Sequence, residues 1–159
     1  MVLTKSQNKV FSEFSNFLES EHHAMIINGS AGTGKTTILQ EMIKSLEDRA
    51  QEYSLLGPTG RAVKVLEAVT NRQASTIHRS IYTLAEIYSD ISNGIYKHIF
   101  NIRPDNGDCE NHVYFIDESS MVSDLYSDSE MFKFGSGNLL ADFFSYIGTF
   151  HDLSFEILI

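Results

Sequence analysis

Apolar residues recur along the chain in two kinds of segment, helical stripes and short unbroken runs. Val10, Phe11, Phe14, Phe17 and Leu18 fall on one face at 3.6 residues per turn, with Ser12, Glu13, Asn16 and Glu19 opposite, which predicts an amphipathic helix. Thr4 stands before it as a good N-cap, and Gln7 three residues later can complete a capping box. Ala24-Met25-Ile26-Ile27-Asn28 is a short apolar run of buried-strand type, after which Ile38, Leu39, Met42, Ile43 and Leu46 repeat at helical spacing. A second strand-turn-helix unit follows. Its strand is Tyr53-Ser54-Leu55-Leu56, its turn Gly57-Pro58-Thr59-Gly60-Arg61, and its stripe Ala62, Val63, Leu66 and Val69.

Farther on, Ile77, Ile81, Leu84, Ala85 and Tyr88 predict a further helix, and residues 93–112 a weakly alternating, turn-rich linker. Val113-Tyr114-Phe115-Ile116 reads as a buried parallel strand, and Phe134-Gly135-Ser136-Gly137 as a loop. Leu139, Leu140, Phe143, Phe144 and Ile147 then mark a helix, and residues 154–159 a last strand. Strands alternating with helices predict an α/β fold, a three-layer sandwich around a mostly parallel sheet.

Length and composition narrow this only slightly. A chain of 159 residues suffices for one such domain, burying roughly 70% of its unfolded surface, and is too short for two. Residues 1–159 are therefore expected to form a single domain. Hydrophobic content of 42% with 21% charged residues is ordinary for a globular protein. No apolar stretch approaches the ~20 residues of a membrane span and residues 1–8 carry no signal-peptide core, so a cytoplasmic location is expected. Cys109 has no second cysteine to pair with, and with His112 it lacks the further ligands of a zinc site; it is expected to be an inert loop thiol. The net charge of −9 is divided unevenly: residues 1–80 hold nine basic and eight acidic side chains, residues 81–159 three and thirteen. Such an acidic chain is not steered toward nucleic acid at long range.

The strongest chemical signal lies between the first strand and its helix. Gly29-Ser30-Ala31-Gly32-Thr33-Gly34-Lys35-Thr36, with Thr37 next, fits G-x-x-x-x-G-K-[ST] at every fixed position. Glycines let successive backbone N–H groups turn inward around a phosphate, and the following helix adds the positive end of its dipole. Lys35 can reach the β and γ phosphates as a mobile charge, while the Thr36 hydroxyl completes a Mg²⁺ shell. A triphosphate with Mg²⁺ is thus the expected ligand. Asp117 and Glu118 follow directly on the buried strand, where ligands of open α/β sheets bind. Asp117 is expected to hold Mg²⁺ through its water shell, and Glu118 to orient and deprotonate the attacking water. Gln7 has two readings that need not exclude each other. It is a capping-box member, or its amide presents a donor and an acceptor to the adenine edge.

Two further segments are candidates for a second phosphorylated ligand. Thr59 and Gly60, after Pro58, sit at a helix start with Arg61 beside them, which makes either an anion site or a plain loop with a solvated arginine. Thr76-Ile77-His78-Arg79 opens the next apolar stripe, and its histidine is either a structural hydrogen-bonder or a ligand contact.

Taken in series, residues 3–7, 29–36, 57–61, 76–79 and 117–122 resemble the first ATPase lobe of a superfamily 1 DNA helicase of the RecD-like branch. Gly-Pro-Thr-Gly-Arg, Thr-Ile-His-Arg and Asp-Glu-Ser-Ser-Met in that order carry the likeness, which extends over residues 3–122. The resemblance implies a RecA-like P-loop sandwich whose last strand inserts between the strands ending at Asn28 and Ile116. It implies adenine recognition by Gln7, a single-stranded DNA path along Pro58, Thr59, Gly60, Arg61, Thr76, His78 and Arg79, and movement 5′ to 3′. Ser119 stands where the family commonly has alanine. The family's next motif would begin just past Ile159, and a second lobe supplies arginines to the transition state. The chain is accordingly expected to bind ATP and Mg²⁺ and to unwind nothing alone. The alternatives are an ATP-gated nucleic-acid-binding module without helicase activity and a small-molecule P-loop kinase. Against the kinase, no arginine follows Arg103 to build a lid; against a GTPase, Asn8-Lys9 runs on into Val10-Phe11 rather than a guanine motif.

Overall fold

The computed structural model describes residues 3–30, 32–90, 95–104, 107–108 and 111–148, with the backbone of 155–158. The expectations for Ala31 and Cys109 lie outside the described residues. Helix α1 (Lys5–Phe17) begins with the predicted capping box: the Gln7 amide N–H donates to Thr4 Oγ1 at 3.2 Å and the Thr4 N–H to Gln7 Oε1 at 2.9 Å. Then come β1 (Ala24–Ile26), α2 (Lys35–Asp48), β2 (Tyr53–Gly57), α3 (Gly60–Thr70) and β3 (Ser75–Thr76). The second half runs α4 (Ile77–Ile81), β4 (Tyr82–Asp90), β5 (Ile95–Ile102), β6 (Val113–Ile116), β7 (Phe132–Phe134), α5 (Leu139–Gly148) and β8 (Phe155–Leu158).

The main sheet has the order β1-β8-β6-β2-β3, all parallel, so the final strand does insert between β1 and β6. Alternation along β6 divides the core in two. Val113 and Phe115 face Phe14, Phe17, Met42 and Leu46 of α1 and α2, whereas Tyr114 and Ile116 face Ile77, Phe143 and Ile147 of α4 and α5. Helices on both faces give the three layers of the expected P-loop sandwich. No helix of the described residues is long and apolar enough to cross a membrane.

Three expectations are corrected by the structure. The stripe Ile77, Ile81, Leu84, Ala85, Tyr88 is not one helix: α4 stops at Ile81, Tyr82 is extended (φ −108°, ψ 151°), and Leu84, Ala85 and Tyr88 lie on β4. Nor is all of 93–112 a linker, because β5 pairs antiparallel with β4, with a register shift between Leu84 and Glu86. Tyr82, Thr83, Ile87 and Tyr88 are residue types that favour strands. Leu84, Ile87 and Tyr88 are about half exposed, so no core exists to receive a helical stripe there. Phe134, read as loop, ends β7, which joins β5 in parallel and completes a second, three-stranded sheet.

Outside the core, Arg72 grips Glu47 bidentately (Nε–Oε1 2.6 Å, Nη2–Oε2 2.8 Å), and the Tyr53 hydroxyl donates to Glu47 Oε1 at 2.8 Å. These bonds hold the Glu47 carboxyl down at about 2. A depressed carboxylate stabilises the fold above its unfolded value and loses that contribution as pH falls through about 2. With both side chains more than a third exposed, the contribution is under about 1 kcal/mol. Thermal melts of wild type and Arg72→Ala should therefore differ slightly at pH 6, and the gap should close between about pH 4.5 and 2.

Candidate functional site

Because the five strands of the main sheet are parallel, the segments leaving β1, β2, β3 and β6 emerge at one edge. The first is the glycine-rich loop. Gly32 (φ 79°) and Gly34 (φ 84°) adopt the left-handed conformation that turns N–H groups inward, and Thr33 closes the bend with both N–H and hydroxyl on the Ser30 carbonyl (3.3 and 2.8 Å). Gly34 is the N-cap of α2 and offers no side-chain cap, so the first-turn N–H groups at Lys35, Thr36 and Thr37 keep their donors for a ligand. Lys35 Nζ donates to the Gly29 carbonyl at 2.6 Å.

Lys35 lines the cavity beside Gln7 and two others. One, about 440 Å³, also holds Gly29, Glu118 and Ser119; the other, small and more enclosed, holds Thr36 and Asp117. Asp117 is anchored through its N–H to the Leu56 carbonyl at 3.0 Å, which fixes the tip of β6 against β2. Burial pushes its carboxyl above the ordinary aspartate value, with the neighbouring Glu118 charge adding to the rise and the Lys35 charge opposing it. Glu118 is exposed, sits in the left-handed region (φ 55°), and donates its N–H to Asp117 Oδ1 at 3.0 Å. That conformation is costly for a side chain with a Cβ, and the two residues line different cavities. One carboxylate and one hydroxyl around the same small space are hard oxygen donors of the kind Mg²⁺ takes when phosphates and water supply the rest. Among the described residues no cluster of three or more histidine, cysteine, aspartate or glutamate side chains could hold a metal by itself.

Gln7 forms the capping box and also reaches the loop. Its Oε1 accepts from Thr4, its Nε2 donates to the Gly34 carbonyl at 3.4 Å, and with Val10, Asn28 and Thr33 it lines a cavity of about 190 Å³ between α1 and the loop. A Cβ on Gly34 would collide with that amide nitrogen.

The second group of candidates is only partly assembled. Thr59 caps α3 (Ala62 N–H to Thr59 Oγ1, 3.2 Å) and Thr76 caps α4 (Arg79 N–H to Thr76 Oγ1, 3.1 Å), so both hydroxyls have structural partners. Gly60 and Arg61 open α3 and are exposed. Pro58, Thr59 and His78 share one cavity. Arg79 does not join them: it lines a separate groove with Arg72, Tyr53 and Ser54 beside β2. Burial pushes the His78 imidazole below its ordinary value, and its ring meets Phe134 edge-on at 4.9 Å and Tyr82 at 5.6 Å. Phe134 and Tyr82 were not legible as site residues, and the alternation of Phe132-Lys133-Phe134 was the one local sign that this segment is a strand.

Comparison with known proteins agrees with this geometry. A family model described as AAA domain matches residues 15–133. The ATP-dependent DNA helicase dda of Enterobacteria phage T4 is 31% identical over 132 residues, covering 82% of this chain and 28% of that protein. The ATP-dependent RecD2 DNA helicase of Deinococcus radiodurans is 40% identical over 58 residues, 36% of this chain and 8% of that protein. An uncharacterised protein of Methanocaldococcus jannaschii is 33% identical over 103 residues, 61% and 8% of the two chains. The chain thus spans less than a third of the length of any of these relatives.

Proposed function

The chain belongs to the AAA-domain family, as an ATPase lobe of superfamily 1 helicase type, and from that premise we propose that residues 1–159 are one lobe that binds ATP with Mg²⁺ and drives movement on single-stranded DNA. The observation that carries the reading is the position of Lys35, which faces Thr36 and Asp117 in one cavity and Glu118 in the next. In this reading the 29–34 loop, with Ser30, Gly32 and Thr33, wraps the phosphates with backbone N–H groups. Lys35 would neutralise the β and γ oxygens, and Thr36 and Asp117 would hold the metal. Thr37 adds a first-turn N–H of α2 to the cradle. When bound, Mg²⁺ would neutralise charge developing between the β and γ phosphates. Glu118, in the larger cavity, takes a proton from the attacking water. Gln7 reads the adenine edge from the capped start of α1, its amide oriented by Thr4 and Gly34.

The DNA strand would run over Pro58, Thr59, Gly60, Arg61, Thr76 and His78, with Arg79 adding charge from the neighbouring groove. Travel 5′ to 3′ and a second lobe completing the catalytic site belong to the same proposal, on the strength of the motif resemblance of residues 3–122.

The test is nucleotide affinity. Titration of the chain with ATP and Mg²⁺ should give saturable 1:1 binding, and Lys35→Ala should weaken it about 10- to 150-fold, the loss expected for one bond to a charged group. Among the described residues the side chain's one hydrogen bond is to the Gly29 carbonyl, so the variant should fold. Equal affinity for both proteins would remove the basis of the reading.

A further inference from the structure

The main sheet is left open along part of one edge. β3 pairs with β2 only at Leu56 and Gly57, and among the described residues no other strand lies on that side, so Tyr53, Ser54 and Leu55 are unpaired there. Main-chain groups along a strand point alternately to its two sides. The Glu52 carbonyl accepts from the Val113 N–H at 3.1 Å and the Leu56 carbonyl from the Asp117 N–H at 3.0 Å, so Tyr53 and Leu55 direct their groups away from β6, toward the open side. An edge of this kind is a template for another extended chain.

A groove of about 460 Å³ runs beside it. The side chains of Leu55 and Leu56 belong to the two core layers, so what these residues give the groove is main chain. Residues 72–75 form one bank and Arg79 with Ser80 of α4 the other. Arg72 and Arg79 are the charged residues lining it, with no carboxylate among the described lining residues. Arg72 is already matched by Glu47. Among the described residues the Arg79 guanidinium is exposed and has no hydrogen bond or ion pair, and Arg103, which donates to the Arg79 carbonyl at 3.2 Å, brings a further positive charge to this side.

These features select the occupant. Alternating N–H and C=O groups require a partner that offers both acceptors and donors, as a peptide backbone does; a DNA backbone offers acceptors alone. A second copy of the chain joined through the same edge would bring its own Arg72 and Arg79 to the groove and meet like charge. An acidic peptide instead meets the uncompensated Arg79. Side chains alternate along β2, and Ser54 lies on the same face as Leu56, toward the layer of α4. A residue added in register with Ser54 puts its side chain on that face, within the groove that Arg79 lines, and this is the position for a carboxylate. The residues before and after it face the other bank, where the Arg72 charge is already satisfied.

We propose that this groove takes an extended acidic segment of a partner protein, added as a strand on the Tyr53–Leu55 edge with one carboxylate bound by Arg79. Main-chain pairing would supply affinity and the arginine the choice of sequence. The site is separate from the phosphate loop, so its failure leaves the nucleotide reading standing.

The probe is a fluorescein-labelled, blocked peptide of alternating threonine and valine with one central glutamate, titrated with the chain and followed by anisotropy. Saturable binding is expected. Glutamine for the glutamate should weaken it about 5-fold, the difference between a hydrogen bond to a charged and to a neutral group. Arg79→Gln, at an exposed side chain, should cause the same loss with the glutamate peptide and none with the glutamine peptide. N-methylation of one alternate set of peptide amides should weaken binding about 5- to 10-fold and of the other set less than two-fold, because only one set faces β2. Equal effects of the two methylated sets would overturn strand addition. Equal affinity of the glutamate and glutamine peptides would overturn the acidic occupant. No saturable binding at millimolar peptide would overturn both, as would oligodeoxythymidylate that displaces the peptide and loses affinity in Arg79→Gln, since the groove then serves nucleic acid.

Discussion

On the proposed reading, glutamine in place of Glu118 is expected to lower ATP turnover by about 10²–10⁴-fold, the usual contribution of a positioned general base, while ATP affinity changes by no more than a few-fold. The substitution is nearly isosteric and removes only basicity. Glu118 is linked to Asp117 through its own N–H, a backbone bond that glutamine keeps, so the Asp117 carboxylate should not move. The left-handed backbone at 118 also stays, because φ 55° is no more strained for glutamine than for glutamate. Phosphate release under steady state and a parallel nucleotide titration separate the two effects. Turnover within three-fold of wild type would mean that the exposed carboxylate in the larger cavity does not touch the reacting water. A loss shared equally by affinity and turnover would assign it to binding instead.

The glycine-rich loop and the carboxylate pair were both open to reading from the chain because they are local. Each occupies consecutive residues, and a parallel sheet brings strand ends to one edge whatever its detailed register. The insertion of β8 between β1 and β6 came from likeness to a family rather than from any property of residues 155–158. What escaped was non-local or ambiguous in period. Ile77, Ile81, Leu84 and Tyr88 fit a helical repeat, yet from Thr83 to Ser89 the side chains meet solvent on a hairpin, so burial never decided between the two periods. Tyr82 and Asp142 are 60 residues apart and nothing in either neighbourhood announces the bond between them. His78 and Arg79 looked like one motif, but neighbours on a helix point about 100° apart. The short α4 accordingly delivers one to the aromatic cavity and the other to the groove along β2. Gln7 was read as a cap or an adenine contact, and the structure lets one amide serve the cap and the loop together.

The same sheet that gathers the site makes its stability depend on β6, and the largest expected loss of stability is at Phe115. Its ring is fully buried in the α1–α2 layer, 6.3 Å from Phe14 and, edge-on, 6.3 Å from Tyr53. Phe115→Ala should therefore cost about 3–5 kcal/mol, transfer loss plus the cavity left between two helices and a strand that cannot close on it. Against a total of about 5–15 kcal/mol that is a large share, and the urea midpoint should drop by about 1–3 M with the slope unchanged. Tyr96→Ala is the control: at 57% exposure on the hairpin it should move stability by no more than about 0.5 kcal/mol. The consequence for the site follows from where β6 is tied. Asp117 hangs on the Leu56 carbonyl and the β6 backbone is paired on both sides, so folded Phe115→Ala should keep its carboxylates in place. Its ATP affinity, measured well below the shifted melting temperature, should match wild type within a few-fold. Retained stability would show that α1 and α2 collapse onto the vacated space. Lost affinity in a folded variant would show that the β6 tip takes its position from packing beneath it and not from the ladder beside it.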